Sequence, residues 1–160
     1  MSSHQIREIA IVGEKSTGKT SIITRLFNSK FNSNEKLTIG IDYYNYTIDK
    51  NKNLFLWDIA GGYNYLQIAY PILKRVDTIL YIHNLNSDSL DVYLEWESYL
   101  LNIIRPKYMV VILSKFDLFK SKYKRDLSFI QSRCLALNIN LFMISVKNGD
   151  NILYDLFISR

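Results

Sequence analysis

The chain of 160 residues is poor in the residue types that hold unusual architectures together, with one cysteine, two prolines and six glycines. A single cysteine excludes a disulfide scaffold, and so little glycine and proline excludes collagen-like and linker-like chains. No stretch approaches the ~20 apolar residues of a membrane span, and the start, Met1 to Glu8, lacks the apolar run of a secretory signal. Nor is charge of one sign in large excess. Twenty Lys and Arg against fifteen Asp and Glu give a net charge of +5, and 48% of the residues are hydrophobic, which excludes a disordered chain. The expectation is a single globular domain over residues 1–160, monomeric and cytoplasmic. A domain of this size buries about 68–70% of its unfolded surface and needs no metal or cross-link to fold. Cys134, in Ser132-Arg133-Cys134-Leu135-Ala136-Leu137, has helical apolar spacing and reads as a buried structural thiol in a reducing compartment. The basic residues are spread along the chain apart from a run between Lys115 and Arg125, which reads as a solvated helix edge; no nucleic-acid partner is expected.

No internal repeat or linker divides the sequence. Short apolar runs with strand character alternate with longer segments of helical period. Strands are expected near Glu8–Val12, Asp42–Ile48, Asn53–Asp58, Thr78–His83, Met109–Leu113 and Leu141–Ile144. Helices are expected near Lys19–Phe27, Leu66–Lys74, Ser89–Ile104, Asp126–Leu137 and Asn151–Ile158. Lys50-Asn51-Lys52 is too short for a crossover, so the second and third strands should form an antiparallel hairpin, while the helical connections demand parallel neighbours. The fold class is therefore α/β: a six-stranded, mostly parallel sheet with one antiparallel strand and about five helices. In such sheets ligands sit at the carboxyl ends of the strands.

The motifs fall at those ends. Gly13-Glu14-Lys15-Ser16-Thr17-Gly18-Lys19-Thr20 follows the first strand, matches G-x-x-x-x-G-K-[ST] and runs into a helix. In that context Gly13, Lys15, Ser16, Thr17, Gly18 and Ser21 offer backbone N–H groups and turns to phosphate oxygens, helped by the positive end of the helix dipole. Lys19 neutralises β/γ charge, and the Thr20 hydroxyl can ligate Mg²⁺. Asp58-Ile59-Ala60-Gly61 closes the third strand, with a carboxylate placed to hold a metal-bound water and a Gly61 N–H placed to meet a γ-phosphate. Thr38 could add a second hydroxyl to the metal.

These residues resemble the Ras superfamily of small GTPases, a P-loop G-domain fold, over nearly the whole chain. Leu37-Thr38-Ile39-Gly40-Ile41-Asp42 with Trp57-Asp58-Ile59-Ala60-Gly61 looks most like the Rab branch, whose members act in vesicle trafficking. The resemblance extends to Ser114-Lys115-Phe116-Asp117 and Ser145-Val146-Lys147, which look like the two guanine-reading motifs. Spacing agrees too, with Phe31 twelve and Thr38 nineteen residues after Lys19. The resemblance implies binding of GTP and GDP with Mg²⁺ held by Thr20, Thr38 and Asp58. Asp117 would accept from the guanine N1–H and 2-amino group, a donor pattern that adenine lacks. The Lys115 and Lys147 stems would lie against base and ribose, the Val146 N–H would meet O6, Phe31 would pack on the base, and Ser145 would support the loop. The catalytic set implied is Lys19, Thr38, Gly61 and Gly62.

Three departures touch functional positions. Gly62 stands where the family usually has a Gln that orients the attacking water, so hydrolysis should be slow. Lys15 stands where a small residue is usual, and either obstructs a partner's arginine finger, points to solvent or supplies positive charge in cis. Ser114 replaces an Asn that ties the base to the phosphate loop. One lost hydrogen bond, about 1 kcal/mol or somewhat more, implies up to roughly tenfold weaker binding and faster exchange.

The segments Asn32–Asp42 and Gly61–Lys74 would be the two switches. Effectors, exchange factors and activating proteins would engage residues 32–43 and 61–74. Tyr43 and Trp57 would share an aromatic surface, or else serve sheet packing. The third Rab aromatic is replaced here by Ile72 or Leu73, Tyr63, Tyr65 and Tyr70 add aromatic weight, and Pro71 should shorten or kink the helix. The chain closes on Ile158-Ser159-Arg160 without a prenylation cysteine, so no lipid anchor is expected. Two other classes compete with the switch: a non-catalytic pseudo-GTPase scaffold, favoured by Gly62, Lys15 and Ser114, and an ATPase or kinase, disfavoured by Asp117 and the lack of an Arg-rich lid.

Overall fold

The computed structural model describes residues 5–28 and 37–149. Six strands form one sheet: β1 (Gln5–Gly13), β2 (Ile41–Asp49), β3 (Lys52–Ile59), β4 (Thr78–His83), β5 (Tyr108–Leu113) and β6 (Asn140–Met143), in the spatial order β2-β3-β1-β4-β5-β6. Only β2 runs antiparallel, paired with β3 through the tight turn at Lys50-Asn51; every other pairing is parallel. The four α-helices among the described residues are α1 (Lys19–Asn28), α2 (Leu66–Arg75), α3 (Leu90–Tyr99) and α4 (Lys124–Ala136). The last helix expected from the sequence, Asn151–Ile158, lies outside the described residues, as does Phe31.

Continuous apolar runs become the central strands because these are covered on both faces. All six residues of β4 are buried, and so are five of the six in β5. Alternate residues feed two cores. One holds Ala10, Val12, Tyr81, Tyr93, Trp96, Val111 and Leu113 with the apolar faces of α2, α3 and α4. The other holds Ile9, Ile11, Leu80, Ile82, Val110 and Ile112 with Ile22 and Ile23 of α1. Cys134 is free and buried in the first, its Sγ 3.5 Å from the Tyr93 hydroxyl. Each buried Leu, Ile or Val contributes roughly 1.5–3 kcal/mol against its exposed state, so these two layers hold the strand ends in register.

One helix departs from the sequence reading, and another keeps its expected bounds to within a residue despite an internal proline. Pro71 does not end α2, which continues four residues to Arg75; it costs one hydrogen bond of the ladder, and the burial of Leu66, Ala69 and Leu73 keeps the helix seated. The segment expected as one helix to Ile104 is α-helical to Tyr99 and then widens into a π turn over Leu100–Ile104. Arg105 stops it in the left-handed region at φ 56°, and the Lys74 ammonium bonds the carbonyls of Ile103 and Ile104. The basic run forms two short 3-10 turns, Phe116–Leu118 and Ser121–Tyr123, leading into α4.

Candidate functional site

β1 delivers the chain to the carboxyl edge of the sheet at Gly13, and α1 begins at Lys19, so residues 14–18 must turn back within five residues. Ser16 takes a left-handed conformation, φ 60°, to do so. The loop is cross-braced from inside: Thr17 Oγ1 donates to the Glu14 carbonyl at 3.0 Å, and the Lys19 ammonium donates to the carbonyls of Gly13 and Glu14 at 3.2 and 2.7 Å. Lys19 is buried, and burial pulls its ammonium below the usual lysine range against the opposing fields of Asp58, Glu14 and Asp88.

Thr20, one residue further, meets the end of β3. Its hydroxyl lies 2.5 Å from Asp58 Oδ2 and 2.9 Å from the Thr38 hydroxyl, which is itself 3.2 Å from Asp58 Oδ2. Three oxygen donors from α1, β3 and the segment before β2 thus converge on one point. Asp58 is fully buried, burial raises its pKa, and its second oxygen, Oδ1, has no hydrogen-bond partner. Hard oxygen donors, one of them a buried carboxylate with a free lone pair, fit Mg²⁺. The Lys19 ammonium, within the field of Asp58, is a desolvated cation with no ion pair among the described residues, and a phosphate would supply its counter-ion. The two buried charges are each short of the partner that a Mg²⁺–phosphate unit brings.

Gly61 and Gly62 follow the end of β3. Gly61 packs backbone to backbone on the phosphate loop: a Cβ there would lie 2.4 Å from the Lys15 nitrogen and 2.6 Å from its Cα. The start of the segment 61–74 therefore rests directly on the loop of residues 14–18. Lys15 is exposed, and its stem runs past Gly62, with Cε 3.9 Å from where a Cβ would stand.

The loops after β5 and β6 reach the same edge. Ser145 Oγ donates to Asp117 Oδ1 at 2.7 Å, fixing the carboxylate and leaving Oδ2 for a ligand; Asp117 and Lys147 are exposed while Val146 is buried. The Lys115 ammonium crosses to the Ser16 carbonyl at 2.7 Å, and Ser114 Oγ donates to the Thr17 carbonyl at 2.6 Å. Ser114, short as it is, keeps a bond to the phosphate loop. Ser114→Ala strands a buried carbonyl, and a loss of about 1–3 kcal/mol in chemical denaturation is the expected outcome.

On the outer sheet face Tyr43 and Trp57 are register partners with ring centroids 4.6 Å apart. Trp57 Nε1 donates to Glu8, which also pairs with Arg75, while the Arg75 guanidinium lies over the indole. Of the two aliphatic candidates in α2, Leu73 is core and Ile72 is half-buried. Leu37, Ile39, Tyr43, Tyr63, Ile68 and Tyr70 are exposed in and around the segments read as switches.

Sequence reasoning treated Glu14 only as a variable position of the loop and did not single out Trp96 or Asn86. Trp96 Nε1 donates to Glu14 Oε1 at 2.9 Å, and Asn86 Nδ2 supports the Lys115 carbonyl at 3.4 Å. A carboxylate inside a phosphate loop was the available signal, because such a charge requires a partner.

Residues 8–117, more than half of the chain, match the family described as "Ras of Complex, Roc, domain of DAPkinase". Similar proteins include the Ypt/Rab-type GTPase Rab7 of Neurospora crassa, 29% identical with 91% of this chain and 76% of the relative covered. The Ypt/Rab-type GTPase YPT7 of Saccharomyces cerevisiae is 27% identical with 92% and 76% covered. The Ras-related protein Rab7 of Pisum sativum is 29% identical with 91% and 76% covered.

Proposed function

Because the chain belongs to the Ras-like GTPase family of the Roc domain, we propose that it is a Rab-like guanine-nucleotide switch that binds GTP and GDP with Mg²⁺, hydrolyses GTP slowly and acts in vesicle trafficking. The observation that carries the reading is the convergence of Thr20, Thr38 and Asp58 on one point, with Asp58 Oδ1 unpartnered and the buried Lys19 ammonium within the field of that carboxylate. When bound, Mg²⁺ supplies neutralising charge to the phosphates, with Thr20, Thr38 and Asp58 as the residues to hold it. Lys19 and the backbone of residues 13–21 hold the phosphates. Asp117, steadied by Ser145, reads the base with Lys115, Val146 and Lys147, and Phe31, outside the described residues, is the aromatic assigned to it by the family spacing. The segments 32–43 and 61–74 are ordered through Thr38 and the Gly61 N–H when a third phosphate is present, and proteins that recognise that state dock on them. No helix among the described residues is long and apolar enough to cross a membrane.

Denaturing freshly purified protein and identifying the released nucleotide by chromatography tests the reading. Near-stoichiometric guanine nucleotide is expected, GDP if hydrolysis completes and GTP if it is arrested. No nucleotide, and no uptake of added GTP with Mg²⁺, would establish the scaffold instead.

Slow hydrolysis has its own test. Gly62 presents no group to orient a water, and its φ of 103° with ψ 157° belongs to a region populated essentially by glycine alone. Gly62→Gln therefore restores a positioning amide while costing about 1–3 kcal/mol of backbone strain. Single-turnover GTP cleavage is expected to rise about tenfold, less than an unstrained positioning group provides. An unchanged rate would mean that another group already positions the water.

A further inference from the structure

Glu14 places a carboxylate in the loop that is read here as the phosphate site. Its own carbonyl bonds the Lys19 ammonium at 2.7 Å, so the residue's main chain lies beside the buried cation, and the field of its side chain reaches that ammonium. A negative charge swung toward bound phosphates would oppose them in a poorly solvated pocket, where Coulomb interactions are several times stronger than in water. The side chain is tied to α3: Glu14 Oε1 accepts the indole N–H of Trp96 at 2.9 Å.

The indole is held firmly enough to do this. Trp96 is 1% exposed, and its ring stacks against Tyr81 at 5.6 Å and against Tyr63, next to Gly62, at 5.4 Å. Tyr63 in turn meets Tyr99 edge-on at 6.5 Å. An indole N–H is a donor only, so it selects a carboxylate or carbonyl oxygen and fixes the direction in which that oxygen points. The aromatic packing thus aims a single donor at the one acidic side chain of the loop.

We propose that Trp96 is a positioning residue for nucleotide binding, its indole N–H holding the Glu14 carboxylate on α3 and away from the bound phosphates. The proposal rests on the nucleotide reading above. It separates Trp96 from an ordinary core residue, because core packing is indifferent to the charge at position 14, whereas a positioning role depends on it.

The test is a cycle of GDP affinities in Mg²⁺ buffer for the full chain, with Trp96→Phe, Glu14→Gln and the double variant, each checked for a cooperative thermal transition. Trp96→Phe keeps an aromatic ring in the core and frees the carboxylate; it is expected to weaken GDP about tenfold, the scale of one charge released near the phosphates. The same substitution combined with Glu14→Gln, which removes the charge, is expected to cost less than about twofold relative to Glu14→Gln alone. Equal losses in both backgrounds would overturn the proposal, since Trp96 would then act through packing only. Failure of the wild type to take up GDP would overturn the nucleotide reading, and this proposal with it. Should Trp96→Phe lose its cooperative transition, the bond is tested directly: in a Trp57→Phe background the Trp96 indole proton resonance is expected to move upfield on Glu14→Ala. An unmoved resonance would overturn the proposal.

Discussion

Lys19→Ala is expected to weaken guanine-nucleotide binding at least about 100-fold, equivalent to roughly 2.7 kcal/mol, while leaving the thermal midpoint of the nucleotide-free protein nearly unchanged. The two halves have one cause. The ammonium is buried, burial already works against its charge, and it spends its hydrogen bonds on the carbonyls of Gly13 and Glu14. Without nucleotide, the desolvation of Lys19 and its two charge-assisted bonds nearly offset, as buried charges commonly do. With nucleotide, the same desolvated cation faces phosphate oxygens in a pocket that water screens poorly, and its removal leaves buried anionic charge uncompensated. Titration with a fluorescent GDP analogue beside a melting curve measures both. Retained affinity would mean that phosphate is not seated at Lys19.

Gly13→Ala is expected to be strongly destabilising, for a reason independent of any ligand. Gly13 is the last residue of β1, paired in register with Ile82 of β4, and it sits at φ 148°. A Cβ there would stand 2.2 Å from the Ile82 carbonyl oxygen. That oxygen belongs to a fully buried central strand, so neither side can yield without shifting β1 against β4. Overpacking of this kind costs about 1–3 kcal/mol and the backbone conformation about as much again. Together they remove a large part of the ~5–15 kcal/mol that stabilises a typical domain. Chemical denaturation is expected to show a loss of about 3–5 kcal/mol, or no folded protein at all. A loss under about 1 kcal/mol would mean that β1 and β4 are not held at that spacing.

Strand, loop and helix around the phosphate site were legible in the sequence because each is specified within a few residues. The short apolar run Ile9–Val12, closed by Gly13, reads as a covered strand, the phosphate-loop motif follows it at once, and α1 begins at Lys19 as expected. The hairpin was legible from the shortness of its turn. The π turn at Leu100–Ile104 was not, because a widened helix has the same apolar period as a regular one over five residues. Continuation of α2 through Pro71 was expected from its apolar period, over Leu66–Lys74; the core contacts of Leu66, Ala69 and Leu73 that offset the local cost of the proline depend on the sheet beneath.

Which groups are available for chemistry, and at which strand ends they stand, can be read along the chain, since hydrogen bonding and backbone preference act over a few residues. Which of them meet depends on how the elements pack. Thr20 reaches Asp58 across 38 residues, Trp96 reaches Glu14 across 82, Ser114 reaches Thr17 across 97, and Lys115 reaches Ser16 across 99. Those encounters are set by the order and register of β3, β1, β4 and β5 and by how α3 packs on them. A side chain's partner across such distances follows from the packing of two cores, for which no short stretch of sequence carries the information.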